Sequence, residues 1–157
     1  MTKSVHTLTL NYTYDSAHSG AHYTINGGQS YMNGGEFAEI ATKSVLGYTV
    51  AKDANTPFNE GSDIEELHAS VKSSRATLVN FKLADTFEES VQRYFAETAS
   101  SLFIYTVVIE KEVTLYSMDA SEFEAFIRQF SGLNERGYVR FKSTSTKMIA
   151  WLESHLA

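Results

Sequence analysis

Residues 61–72 read GSDIEELHASVK, and this stretch decides the fold that the sequence predicts. Its second half alternates apolar and polar side chains, which is typical of a half-buried β-strand. Ala69 and Val71 are predicted to point to one side of that strand, and Ser70 and Lys72 to the other. A serine and a lysine are therefore expected on one face, next to the acidic turn that precedes them.

The turn before this strand is rich in carboxylates. Glu60, Asp63, Glu65 and Glu66 fall within seven residues. Hard divalent cations such as Mg²⁺ are held by oxygen ligands of this kind. Taken by composition alone, a solvated acidic turn is favoured over a metal site, so the acids need support from their surroundings.

Working outward from this stretch, the pattern predicts an α/β (α+β) chain. Residues 5–14 alternate, 15–20 are turn-like and 21–25 form a returning strand, so an N-terminal β-hairpin is expected. Asn33 is placed to cap a helix that ends at Gly47, with Glu36 and Glu39 in its first turns.

On the C-terminal side the pattern predicts four strands and three helices. A strand is expected at 76–83 and a near-continuous apolar run at 102–109 reads as a central strand, paired with 113–118. Thr86 with Glu89, and Ser121 with Glu124, are interpreted as capping boxes of two helices. A strand at 138–141 and a last helix from about residue 145 complete the predicted order.

This order of elements, with Asp63 before Ser70-Val71-Lys72, resembles the αβββαβ core of the PD-(D/E)XK nuclease superfamily over about residues 33–118. The resemblance implies a restriction-endonuclease-like core, with a central mixed β-sheet flanked by helices. It further implies that Asp63 binds a metal, that Lys72 is the catalytic lysine, and that Glu36 or Glu39 supplies a helix carboxylate.

The implied function is hydrolysis of DNA phosphodiester bonds with Mg²⁺ or Mn²⁺, by a protein that acts as a homodimer. Ser70 stands where that family has its second acid, and a hydroxyl is a weaker Mg²⁺ ligand than a carboxylate. Glu65, Glu66, Glu39 or a carbonyl would have to compensate. The alternative is an inactive member of the same fold that binds DNA or protein, and a structural accessory protein is a third reading.

Length and composition set the class of protein. The chain has 157 residues, no cysteine and a formal net charge of −6, and a single domain over 1–157 is expected. No apolar run is long enough to cross a bilayer, so the expectation is a cytoplasmic protein without membrane contact. Through residue 70 eight acids face three lysines, whereas basic residues gather near the C-terminus.

Other candidate sites are weaker. The five histidines show no HExxH or close paired spacing, which argues against a zinc site. No G-x-S-x-G elbow marks a serine nucleophile. Lys142 to Lys147 precede the last helix and could hold a phosphate at its N-terminus, although an ordinary helix cap is the favoured reading.

Overall fold

The structure is a computed structural model. It describes residues 3–7, 10–15, 20–25, 28–31, 62, 64, 67–74, 76–109 and 112–156, with side chains from residue 62 onward except those of Val108 and Leu156. The predicted helix at 33–47 and the carboxylates Glu36, Glu39 and Asp63 lie outside the described residues.

The described residues before position 32 form four short strands. They are β1 (Lys3–Thr7), β2 (Leu10–Asp15), β3 (Gly20–Ile25) and β4 (Gly28–Tyr31). Strands β2, β3 and β4 form an antiparallel three-stranded sheet, whereas β1 joins a different sheet. The single strand expected at 5–14 is therefore divided between two sheets. Its alternation continues across the division, so periodicity alone cannot reveal which partner each half pairs with.

The main sheet is mixed and contains β1 together with β5 (Ala69–Ser73), β6 (Leu102–Ile109) and β7 (Glu112–Met118). Its strand order is β1-β7-β6-β5. Strand β5 runs parallel to β6, and β7 is antiparallel to both β6 and β1. The apolar run at 102–109 is confirmed as an interior strand, because it has a partner on each side.

Helix α1 (Phe87–Glu97) connects the two parallel strands, as a crossover must. The Thr86 hydroxyl accepts a hydrogen bond from the Glu89 backbone N–H at 3.1 Å, which confirms Thr86 as the N-cap. The Glu89 carboxylate accepts from the Thr86 hydroxyl at 3.1 Å rather than from the Thr86 backbone N–H, so the predicted capping box is half formed. Helix α2 (Ala120–Phe130) follows β7, and helix α3 (Thr146–Leu156) is the last described element of the chain.

The cap predicted for α2 was wrong by two residues. Asp119, not Ser121, is the N-cap, and it accepts from the Glu122 backbone N–H at 2.8 Å. The Glu122 carboxylate in turn accepts from the Asp119 N–H at 3.2 Å. This reciprocal pair satisfies two of the N–H groups at the helix start, whereas a helix beginning after Ser121 would lose it.

Residues 76–86, all of which the structure describes, contain one isolated β-bridge and no strand, so the strand expected at 76–83 was wrong. Leu78 and Val79 are consecutive and both buried, which a two-residue alternation does not allow. The segment instead bonds to the hairpin of β8 (Ser131–Leu133) and β9 (Val139–Phe141). Leu78 N–H donates to the Val139 carbonyl at 2.7 Å.

The described helices pack on one face of the main sheet in an aromatic core. Phe103 of β6 stacks on Phe123 of α2 with ring centroids 4.4 Å apart, and Phe126 contacts Trp151 of α3. The opposite face carries a smaller apolar cluster, formed by Ile64, Ala69, Val71, Ile104, Val113 and Leu115. The described residues thus form an α+β fold with a mixed sheet and helices, as predicted at that level.

Within the described ranges, no helix is both long and apolar enough to cross a bilayer.

Candidate functional site

Strand β5 begins with a tight turn that folds it back on Ile64. The backbone N–H groups of Ile64 and Ala69 each donate to the other residue's carbonyl, at 3.0 and 3.1 Å. The turn includes His68, whose φ of 50° lies in the left-handed region. The His68 carbonyl accepts from the N–H groups of Ser101 and Leu102, so the same turn is tied to the start of β6.

Three serine hydroxyls meet beside this turn and are here called the serine cluster: Ser62, Ser70 and Ser100. Ser100 Oγ lies 2.6 Å from Ser70 Oγ and 2.8 Å from Ser62 Oγ. Ser70 and Ser100 are each only 6% exposed. Ser62, which precedes Asp63 in the sequence, is therefore linked to Ser70 of β5 through the Ser100 hydroxyl. Ile64, which follows Asp63, forms a β-bridge with Ala69 of β5.

The serine cluster is neutral and its proton count is limited. A hydroxyl has one proton to donate and accepts at two positions. Ser100 can donate in only one of its two contacts, so at least one of Ser62 and Ser70 donates to it. The cluster is thus a hydrogen-bonded link between segments, and its oxygens carry no charge that would attract a cation strongly.

Lys72 lies two residues beyond Ser70 on the same face of β5, as the strand periodicity predicts. Its ammonium donates to the backbone carbonyl of Leu78 at 2.9 Å. The charged end of Lys72 is therefore held where residues 76–78 meet the β8–β9 hairpin.

The structure thus describes two of the residues predicted for the site, Ser70 and Lys72. Asp63, Glu36 and Glu39 lie outside the described residues, as do the other acids of the 60–66 turn, Glu60, Glu65 and Glu66. In the part of the chain that is described, no three His, Cys, Asp or Glu side chains are grouped closely enough to hold a metal ion.

Comparison of this chain with protein-family models, with curated proteins and with solved structures finds no match. Function is therefore inferred from the residues of the site.

The phenol paired with Lys72 across the sheet is neutral. Tyr105 stands opposite Lys72 in the parallel register, and its side chain is fully buried. Burial raises the pKa of Tyr105 far above the usual value, because a phenolate would be desolvated there. Tyr105 therefore does not act as a base near neutral pH, and it contributes packing to the wall of the site.

The basic residues expected near the C-terminus divide into two groups. Arg128 of α2 is engaged by two carboxylates: its guanidinium donates to both oxygens of Glu88 on α1 and to Glu124 at 3.2 Å. These contacts lower the pKa of Glu88 and raise that of Arg128, since each charge favours the other. Arg136 and Arg140 lie instead on the exposed β8–β9 hairpin.

Sequence reasoning missed two partners of the site. Ser100 precedes the apolar run of β6, and its position beside Ser70 depends on β5 and β6 pairing in parallel from Ala69↔Leu102 onward. The Leu78 carbonyl is a backbone group of an irregular segment, so no side-chain pattern reveals it. Only a correct prediction that 69–73 pairs in parallel with 102–106 would have placed Ser100 next to Ser70.

Proposed function

We propose that this chain is a metal-dependent nuclease of the restriction-endonuclease-like type, which hydrolyses DNA phosphodiester bonds. One observation carries the proposal. The residues on both sides of Asp63 are bonded to the start of the strand that bears Lys72, through the Ile64–Ala69 bridge and the serine cluster. Residues 62 and 64 are thereby held beside the start of β5 by hydrogen bonds.

The proposed metal ligands are Asp63 with Glu39 or Glu36, whose carboxylates are the oxygen donors that Mg²⁺ and Mn²⁺ prefer. A divalent cation bound there would stabilise negative charge on the phosphate oxygens during hydrolysis. Lys72 adds a positive point charge on the same face of β5 as Ser70. Ser70 takes the position of a second acid, and its hydroxyl orients neighbouring groups through Ser100.

The finer architecture belongs to the same proposal. A restriction-endonuclease-like core would use β5, α1 and β6 as its parallel strand-helix-strand unit, with the helix at 33–47 contributing Glu36 and Glu39. The N-terminal β-hairpin would be an addition to that core. A homodimer is proposed as the cutting species, since one such site cleaves one strand.

The test is cleavage of linear and supercoiled DNA by the purified protein in Mg²⁺ or Mn²⁺, compared with Asp63→Asn and Lys72→Met. Methionine keeps most of the aliphatic stem of Lys72 and removes its charge. We expect cleavage by the wild type and a loss of at least about a hundredfold in each variant, the size of one general acid-base or electrostatic group.

Lys82→Met is the matched control, because Lys82 is an exposed lysine whose ammonium pairs with Asp85 at 2.9 Å. It should cut like the wild type. Absence of cleavage by the wild type, or cleavage that persists in both Asp63→Asn and Lys72→Met, would show that the chain is not a nuclease of this type.

A second function is favoured by a different observation. Ser70 and Lys72 are both engaged in internal hydrogen bonds, with Ser100 and with the Leu78 carbonyl. Groups used in this way can serve the fold alone. This supports a catalytically inactive protein of the same architecture, which binds DNA or a protein partner.

The two functions differ in their need for metal. A binding module should bind its partner equally well with Mg²⁺ or with a chelator, and Lys72→Met should lower its melting temperature without a specific effect on DNA. Strict Mg²⁺ dependence of cutting in the wild type would exclude it.

A further inference from the structure

The outer face of the β8–β9 hairpin carries an arginine between two short neighbours. In the antiparallel register Arg140 of β9 stands opposite Gly132 of β8 and, on its other side, opposite Thr77. Directly paired residues share one face of a sheet, so these three form a row. Arg140 is exposed, whereas its neighbours Val139 and Phe141 point inward and are buried.

Gly132 has no side chain that could cover the surface beside Arg140. A Cβ added at Gly132 would meet no atom within 4 Å, so packing does not require a glycine there. A glycine inside a strand, without a packing reason, is typical of a place where a ligand or another backbone approaches closely. The surface beside Arg140 is therefore open to a flat or rod-like partner.

Thr77 and Arg140 of this row line a groove of about 760 Å³ that other polar groups complete. Its lining includes Arg136, Asn80, Tyr138 and Glu135. The loop bearing Arg136 is held in shape by Asn134, whose side-chain carbonyl accepts from the N–H groups of Arg136 and Tyr138 at 2.9 and 3.0 Å.

Two cationic side chains, Arg136 and Arg140, line the groove, and Glu135 is the acid among its described lining residues. In a chain with net charge −6, a local excess of positive charge is a departure from the average surface.

We propose that this groove binds the phosphodiester backbone of duplex DNA, with Arg140 and Arg136 on phosphates and Thr77 and Asn80 as neutral hydrogen-bonding groups. Contacts of this kind position DNA without reading its sequence. The inference rests on the proposed function in one respect, that the polyanion is DNA.

The experiment is fluorescence anisotropy of a labelled DNA duplex, titrated with protein in a chelator so that cutting does not interfere. Arg140→Gln and Arg136→Gln should each weaken binding by about tenfold, the size of a lost charge-assisted contact. The slope of log affinity against log salt concentration should fall by about 0.9 for each phosphate contact removed.

Three further variants separate a binding role from a structural one. Arg128→Gln removes the same charge from α2, away from the groove, and should bind like the wild type. Glu135→Gln removes the one acid of the described groove lining and should strengthen binding. Gly132→Val fills the open space beside Arg140 without changing charge, and should weaken binding while the protein melts as the wild type does.

The outcomes also separate this inference from nuclease activity. Loss of affinity in Arg140→Gln and Arg136→Gln, with Arg128→Gln unchanged, supports the groove whether or not the wild type cuts DNA. Equal losses in all three arginine variants, or no loss in the two groove variants while the wild type binds and cuts, would overturn the groove and leave the nuclease intact. A wild type that neither binds nor cuts DNA overturns both.

Discussion

Ser100→Ala removes the middle hydroxyl of the serine cluster, and the structure allows the cost to be worked out. Ser70 is 6% exposed, so water does not readily replace Ser100 as its partner, and a buried polar group left unpaired costs about 1–3 kcal/mol. Ser62 is half-buried and regains water, which limits its loss to about 0.5–1.5 kcal/mol. We expect a total close to 2 kcal/mol, since part of each loss is shared.

Urea unfolding followed by circular dichroism measures this cost. With a slope of about 2 kcal/mol/M, the midpoint should fall by about 1 M. The melting temperature should fall by about 4–8 °C for a chain of this length. Ser101→Ala is the matched control, because Ser101 is the exposed neighbour and donates to the His68 carbonyl through its backbone, which alanine keeps.

The double variant Ser70→Ala/Ser100→Ala tests the reason for the cost. It removes both partners of the 2.6 Å contact, so no unpaired hydroxyl is left at Ser70, and the loss should be smaller than the sum of the two single losses. The reasoning is refuted if Ser100→Ala unfolds within about 0.5 kcal/mol of Ser101→Ala, or if the single losses are additive.

Two further predictions concern parts of the fold away from the serine cluster. Asp119→Ala should lower the free energy of unfolding by about 1 kcal/mol, because it removes the α2 capping box. Ser121→Ala, inside the first turn of α2, should change the free energy of unfolding by less than half of that. Equal effects of the two variants would contradict the assignment of Asp119 as the cap. Burial, and then the hydrogen bond to Glu153 at 3.1 Å, raise the pKa of Tyr116 to about 12. The neutral phenol is therefore favoured in the folded protein. Its contribution to stability is complete below about pH 10 and is lost as pH rises towards 12. In an ultraviolet absorbance titration with Tyr116→Phe as the reference, Glu153→Gln should move the ionisation of Tyr116 to lower pH.

Helices and the central strand were predictable because their signals are local. Phe123, Phe126, Ile127 and Phe130 recur at helical spacing and all four are buried in α2. Thr86 caps α1 through a residue three positions along the chain, which a reader of the sequence can see. The run at 102–109 is almost continuously apolar because the aromatic core covers one face of β6 and the smaller apolar cluster covers the other.

Residues 76–83 show where local reasoning fails. Leu78, Val79 and Leu83 are buried in the core, but the segment does not form a strand. Its backbone hydrogen-bonds to β9, more than fifty residues away, and this partner is not visible in the local pattern. The missed N-cap of α2 has a similar origin. Both Asp119 and Ser121 are followed three residues later by a glutamate, and the choice between them depends on where β7 ends.

In the stretch at 61–72, too, some features follow from the sequence alone and others only from the tertiary structure. By itself the sequence determined that Ser70 and Lys72 share a face, because side chains alternate along any strand, and it named Asp63, Glu36 and Glu39, which remain predictions. Only the tertiary structure decided that Ser100 links Ser62 to Ser70 and that Lys72 bonds to the Leu78 carbonyl. Periodicity is a property of one segment, whereas these contacts join segments whose pairing depends on how the whole sheet is assembled.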